Sequence, residues 1–290
     1  MGRDMAKHDL APVAPVAPAT GQDRWPLAGV IFDWAGTTVD FGSRAPVAAL
    51  LSLFASRGIL LNEEEARVPM GLHKRDHIRA LLALPAAQEA WQARHGRPWT
   101  EVDVESMYRD LLPLTLEAIR GHADLIPGVT ALCEALRRRG LFIGSTTGYS
   151  AEMMAELLPQ AAQKGYQPDA VVTVSDVPAG RPAPWMCFRN AERLGLYPMA
   201  RLVKIGDTVA DVAEGLAAGM WTIAYTRCGN EVGLAEAALA ALPVAEQARR
   251  IGQARARLSQ AGAHYVVEGP DEVLPVLDSI AGRLRRGERP

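Results

Sequence analysis

The chain has 290 residues, is 49% hydrophobic and carries a net charge of −2, enough apolar material for one large domain or a domain with an insertion. The near-neutral balance supplies no basic field for nucleic acid or an anionic membrane, and no apolar run reaches membrane-helix length. Its three cysteines, Cys133, Cys187 and Cys228, match no zinc spacing and cannot all pair, which points to a reducing cytoplasmic setting.

The first 25 residues contain the tract Ala-Pro-Val-Ala-Pro-Val-Ala-Pro, Ala11 to Pro18, and no hydrophobic segment of a secretory signal. They are expected to form an extended, disordered leader. Gly29-Val30-Ile31-Phe32-Asp33 then reads as a buried parallel strand ended by a turn at Gly36. Helical periodicity follows over Pro46 to Arg57, Leu72 to Leu84 and Val102 to Ile119, with breaks at Gly58, Pro69-Met70-Gly71, Pro85 and Gly96. No strand pattern appears between Phe41 and Arg120.

Beyond that block, strands alternate with helices. Strands are expected at Leu141 to Thr146, Ala170 to Val174, Leu202 to Ile205, Trp221 to Tyr225 and His264 to Val267. Helices are expected at Pro127 to Gly140, Tyr149 to Gln163, Pro184 to Leu194, Val209 to Ala218, Leu234 to Leu258 and Asp271 to Arg285. This alternation specifies the α/β class, with a Rossmann-like parallel sheet covered on both faces. Residues 26–42 and 121–290 are expected to form that core, and residues 43–120 an inserted helical cap over the carboxyl edge of the sheet. A cap there can close a cleft and exclude water.

Four segments lie at strand ends or in the loops beyond them: Asp33-Trp34-Ala35-Gly36-Thr37-Thr38, Ser145-Thr146-Thr147-Gly148, Arg181-Pro182-Ala183-Pro184 and Gly206-Asp207-Thr208-Val209-Ala210-Asp211. An Asp at the carboxyl end of a parallel strand stands where open α/β sheets bind ligands, and its carboxylate can attack phosphorus. Phosphoryl transfer also needs donors for the equatorial oxygens, a cation for developing charge and acidic ligands for magnesium. All these residue types are present. In order and content the segments resemble the motifs of the haloacid dehalogenase superfamily from about Leu27 onward. The resemblance implies that Asp33 is the nucleophile, that Thr146 or Thr147 binds the phosphoryl group and that Arg181 is the cationic clamp. It further implies that Asp33, the Ala35 carbonyl and Asp207 hold Mg2+, with Asp211 in support.

Most members carry a second Asp, as general acid, where this chain has Ala35, so the leaving group must be activated differently. The cap segment Pro69-Met70-Gly71-Leu72-His73-Lys74-Arg75-Asp76-His77 offers a route. A lysine near a helix start in a closed cleft has its pKa lowered, and its free amine condenses with a carbonyl to an electron-accepting iminium. His77, one helical turn on, stands where it can exchange protons with Lys74.

This combination resembles the phosphonoacetaldehyde hydrolase (phosphonatase) family. The matching stretches include Ile31 to Asp40, Pro69 to Leu72 with Lys74, Asp76 and His77, Ile143 to Tyr149, Asp176 to Pro182, and Lys204 with Gly206-Asp207-Thr208. The resemblance implies hydrolysis of the P–C bond of a small phosphonate, as in 2-aminoethylphosphonate degradation. It also implies a Schiff base on Lys74, a pocket lined by Met70, His77 and Tyr149, and a cytoplasmic homodimer made through cap helices. Ser43 departs from the thiol some members carry. A haloacid dehalogenase also lacks the second Asp, but needs neither magnesium ligands nor a cap lysine. An ordinary phosphomonoesterase would be left without its proton donor. A catalytically dead scaffold relative is the reading from another class, although no catalytic residue type is missing. Val47 to Phe54 offers an apolar helix face, open either to a second subunit or to the inside of the cap.

Overall fold

The computed structural model describes residues 25–290, so nearly all of the expected leader lies outside the described residues. Six parallel strands form one sheet: β1 (Gly29–Phe32), β2 (Phe142–Thr147), β3 (Ala170–Thr173), β4 (Leu202–Gly206), β5 (Trp221–Tyr225) and β6 (Tyr265–Val267). Their spatial order is β3-β2-β1-β4-β5-β6. Val30 stands opposite Ile143 of β2 on one side and Val203 of β4 on the other. The strand order reverses direction at β1, and the crevice above such a switch point is where open α/β sheets place ligands. Asp33 is the first residue beyond β1.

The buried strands alternate their apolar side chains between two helix layers. Val30, Phe32, Ile143, Val203 and Ile223 share a core with α6 (Val129–Arg138), α7 (Ala151–Gln163) and α12 (Val273–Arg285). Ile31 and Leu202 face the opposite way, toward Cys187 and Ala191 of α8 (Trp185–Leu194). On that second side α9 (Val209–Ala217) packs on β4 and β5. Trp34 is fully buried in the first core, with its ring edge-on to Tyr166 at 5.0 Å, so it is a packing residue and lines no site. All three cysteines are buried free thiols.

Between β1 and α6 the chain forms five helices and no strand: α1 (Arg44–Ser56), α2 (Glu63–Arg67), α3 (Lys74–Leu82), α4 (Pro85–His95) and α5 (Glu101–Arg120). They carry a core of their own around Leu50, Leu53, Phe54, Ile78 and Trp91. The apolar face of α1 is therefore turned inward within one cap, and Val47 joins Ala66 and Met70 in a second small cluster.

Two helix boundaries differ from the sequence expectation. Pro85, read as a break, opens α4 at its first position, where the missing N–H costs no hydrogen bond. The helix expected from Leu234 to Leu258 is two, α10 (Glu236–Ala240) and α11 (Val244–Gln260). Pro243 separates them: it caps α11 from an extended conformation and forces the preceding residue out of the helical region. Among the described residues, no helix is long and apolar enough to cross a membrane.

Candidate active site

The carboxyl ends of β1, β2 and β4 bring the four sequence segments together, and the loop before α3 closes over them. Asp33, Ala35, Ser43, Met70, Gly71, Lys74, Thr147, Tyr149 and Arg181 all line one narrow chamber of about 30 Å3. That space holds roughly one or two waters, so a larger ligand needs the cap and core to move apart. The seam is tight because glycines lie on it. A Cβ on Gly71, whose φ is +88°, would stand 2.5 Å from Thr208 Oγ1, and one on Gly148 would stand 3.1 Å from the Leu72 carbonyl. A groove of about 840 Å3 runs outside the seam and shares only Arg181 with the chamber.

Arg181 is the hub on the core side. Its Nη2 donates to Asp33 Oδ1 at 2.6 Å and to Thr146 Oγ1 at 2.7 Å, and its Nε donates to Glu214 Oε2 at 2.9 Å. Asp211 Oδ1 lies 3.1 Å from Nη2. Burial pushes the Asp33 carboxyl above its ordinary value, and the adjacent Arg181 guanidinium pulls it back. Asp211 is fully buried as well, yet Arg181 and Lys204 hold its carboxyl down at about 2. Lys204 Nζ donates to Asp211 Oδ1 at 2.7 Å and to Thr146 Oγ1 at 3.0 Å, and Thr208 Oγ1 donates to Asp211 Oδ2 at 2.6 Å. Both oxygens of Asp211 are thus engaged, which makes it a brace for Arg181.

Asp207 is the opposite case. Its oxygens accept from Thr37 Oγ1 at 2.7 Å and from the Asn230 N–H at 2.8 Å, and among the described residues no side-chain cation pairs with it. Burial, then the neighbouring Asp33 and Asp211, push its carboxyl well above the usual range. A buried carboxylate without a counter-charge is costly, and a divalent cation would remove that cost. Carboxylate oxygens of Asp33, Asp207 and Asp211 lie within 4.8 Å of one another. Among the described residues no backbone donor reaches the Ala35 carbonyl, and Ala35 is one of the residues that line the chamber. These donors are hard oxygens, and they fit a magnesium-class ion.

On the cap side, Lys74 is the first residue of α3, where the positive end of the helix dipole opposes an ammonium. Burial lowers its pKa to about 8, with Arg181 pushing the same way and Asp33 opposing. Its Nζ lies 5.9 Å from the centre of the Tyr149 ring. His77 is fully buried beneath Lys74 and does not line the chamber. Its Nε2 bonds the Ala66 carbonyl at 2.9 Å while Nδ1 has no partner. Burial and the charge of Lys74 drop its pKa to about 3, so it is a neutral imidazole with a free lone pair on Nδ1.

The two threonines divide. Thr147 faces the chamber and its Oγ1 accepts the Tyr149 N–H at 3.1 Å. The Thr146 hydroxyl points into the Arg181–Lys204–Glu214 network below, donating to Glu214 Oε2 at 3.2 Å. Sequence reasoning assigned no role to Lys204, Glu214, Thr37 or Asn230. A signal existed for two of them. Lys204 interrupts an apolar strand, Leu202-Val203-Lys204-Ile205, and Glu214 follows Asp211 at the one-turn spacing that shares a helix face. Nothing local marked Thr37 or Asn230.

Comparison with known proteins places the chain in a family. The model of the haloacid dehalogenase-like hydrolase family matches residues 27–219. A phosphonoacetaldehyde hydrolase from Nitratidesulfovibrio vulgaris is 48% identical over 265 residues, covering 91% of this chain and 95% of its own. One from Bacillus cereus is 43% identical over 254 residues, covering 88% and 96%. Among solved structures, a phosphonoacetaldehyde hydrolase-like protein from Oleispira antarctica superposes with a TM-score of 0.90 at 38% identity, covering 95% of this chain and 100% of its own.

Proposed function

The chain belongs to the phosphonoacetaldehyde hydrolases within the haloacid dehalogenase-like hydrolases, and from that membership we propose how it hydrolyses the P–C bond of phosphonoacetaldehyde to acetaldehyde and phosphate. The observation that carries the reading is one narrow chamber holding Asp33, a lysine with a lowered pKa and, at the general-acid position, an alanine.

The Lys74 amine adds to the aldehyde and loses water, giving an iminium. Asp33, held against Arg181, attacks phosphorus in line. The P–C bonding pair moves into the iminium and leaves an enamine on Lys74 and a phosphoryl group on Asp33. Protonation of the enamine carbon followed by water frees acetaldehyde and Lys74, and a second water frees phosphate from Asp33. Thr147 and Arg181 bind the phosphoryl oxygens, and Met70 and Tyr149 line the aldehyde end. Thr146, Asp211, Lys204 and Glu214 hold Arg181 in position. Asp33, Asp207 and the Ala35 carbonyl would hold magnesium, which neutralises charge on the transferring phosphoryl group. His77, buried behind the chamber as a neutral imidazole, supports the α2–α3 packing through the Ala66 carbonyl and would act on the adduct only through an intervening water.

Residues 43–120 act in this reading as a lid over a core of residues 26–42 and 121–290. The compartment is the cytoplasm, in keeping with three free thiols. The assembly is a homodimer through a cap surface other than the buried face of α1.

Two outcomes test the chemistry. Phosphate release from phosphonoacetaldehyde is expected to stop in a chelator and to return with added Mg2+, while an ordinary phosphate ester is a poor substrate throughout. Undiminished release in the chelator would end the magnesium reading. The second outcome is a pH profile. Lys74 must be unprotonated to attack, and with a pKa of about 8 roughly one site in ten is ready at pH 7 and roughly nine in ten at pH 9. Schiff-base formation should therefore rise about tenfold per pH unit up to about pH 8 and then level off. A midpoint below about pH 6 would assign that limb to another group.

A further inference from the structure

Arg67, at the last turn of α2 in the cap, takes no part in the chamber, yet it is the most heavily bonded cap side chain at the seam. Its side chain is only 13% exposed. Nη1 donates to the Gly42 carbonyl at 2.8 Å and to Asn230 Oδ1 at 3.2 Å, and Nη2 donates to the Gly233 carbonyl at 2.7 Å. Asn230 Nδ2 returns a bond to the Arg67 carbonyl at 3.3 Å. Three segments meet on this one guanidinium: the cap, the turn through which the chain enters the cap, and the loop that follows β5.

Both other segments are held in unusual conformations and packed close. Asp40 and Ser43 have φ of 56° and 48° without being glycine, a strained geometry that persists only where its surroundings enforce it. The Asp40 carboxylate accepts the Ala45 N–H at 2.8 Å, so it, and not Ser43, caps α1. A Cβ on Gly42 would stand 2.3 Å from the Leu234 carbonyl, and one on Gly233 would stand 2.5 Å from Arg67 Nε. The same loop reaches the site, because the Asn230 N–H donates to Asp207 Oδ2 at 2.8 Å and Gly229 packs on the Asp207 side chain.

We propose that Arg67 is a positioning residue: by tying the Asn230 loop to the root of the cap, it fixes the orientation of the Asp207 carboxylate. Burial works against the guanidinium charge, and Glu63, then Asp40 and Asp207, sustain it, so the arginine and the carboxylate are also electrostatically linked. The planar fork is essential because two nitrogens serve carbonyls on different segments, a geometry that a lysine ammonium cannot reproduce. The inference rests on the reading of Asp207 as a metal ligand.

The test measures Mn2+ binding to the metal-stripped full chain by the EPR signal of free Mn2+. R67A and R67K are expected to weaken binding about 10-fold or more, the usual cost of losing an outer hydrogen-bond partner of a ligand, and added ethylguanidinium should tighten binding to R67A. R249A, at an exposed position on α11, should bind like the unsubstituted chain. If R67A does not fold, R67K, which keeps the charge and the stem, carries the test. Folded R67K with Mn2+ affinity within about twofold of the unsubstituted chain overturns the Arg67 inference alone. If the unsubstituted chain and D207N bind Mn2+ equally, the metal-ligand reading fails and this inference falls with it.

Discussion

Borohydride added during turnover of phosphonoacetaldehyde is expected to leave a single reduced adduct, on Lys74, and Lys74→Arg is expected to lose activity on the order of 10^4-fold or more. Among the described residues, the other lysine side chains lack the environment that makes this one reactive. Lys204 is equally buried but engaged by Asp211 and Thr146, and the charges of Asp211, Glu214 and Asp33 raise its proton affinity despite burial. Lys164 is paired with Asp124. Among the described residues, Lys74 alone of the lysines combines burial, a helix start and a place on the chamber wall. Arginine would keep the positive charge and the length but forms no iminium at neutral pH, so the P–C electron pair would have no acceptor. Substantial turnover by Lys74→Arg, or an adduct mapped to another lysine, would end the Schiff-base mechanism.

Asp33→Asn is expected to cut phosphate release by a similar factor, on the order of 10^4-fold or more, while leaving the lysine chemistry intact. The amide is nearly isosteric and can still meet the Arg181 guanidinium region without the charge needed to attack phosphorus. Borohydride should then trap Lys74 with the whole substrate attached, so the adduct mass includes the phosphonate. In the unsubstituted enzyme the trapped species should include the two-carbon fragment that remains after P–C cleavage. The two masses separate carbonyl condensation from phosphoryl transfer within one experiment. Rapid phosphate release by Asp33→Asn, or loss of phosphorus from its trapped adduct, would remove Asp33 from the nucleophile's role.

The chamber volume of about 30 Å3 bears on both results. In the proposed mechanism every trapped adduct requires that the cap first admit the substrate and then exclude bulk water, since water inside the site would compete for the phosphoryl group. The glycines at the seam set how closely the halves meet, which is why Gly71 and Gly148 belong to the catalytic design although neither has a side chain to offer.

Much of this protein is legible in one dimension. Parallel strands buried on both faces read as short apolar runs, so β1, β2, β4 and β5 emerge with their ends nearly in place, and residues at strand ends share one edge of a parallel sheet by construction. Asp33, Arg181, Asp207 and Lys74 are legible for the same reason, since each lies beside a strand end or a glycine-marked loop. Ala35 is legible through what the position lacks. The split at Pro243 and the start of α4 at Pro85 were also written in the sequence, because proline punctuates a helix from either side.

Other features depend on contacts between residues far apart in the chain, and for those the tertiary structure decided. Thr146 and Thr147 are adjacent and chemically alike, and only the strand register sends one hydroxyl to the chamber and the other to Glu214. The apolar face of α1 had two possible destinations until the packing of five helices turned it inward. His77 proved to be a neutral imidazole held on the Ala66 carbonyl and set back from the chamber wall, because burial and a neighbouring ammonium outweigh its solution basicity. The bracing of Arg181 by Glu214 and the link from Arg67 to Asp207 join segments separated by scores of residues, and no local pattern encodes them. The sequence by itself determined the fold class and the family, and it marked Asp33 and Lys74 as the proposed nucleophile and electron-accepting lysine, since these follow from residue type at strand and helix ends. Which groups are charged, which donors reach the site and how tightly the cap closes were decided by folding, which sets burial and distance, and those two quantities govern proton affinity and hydrogen bonding.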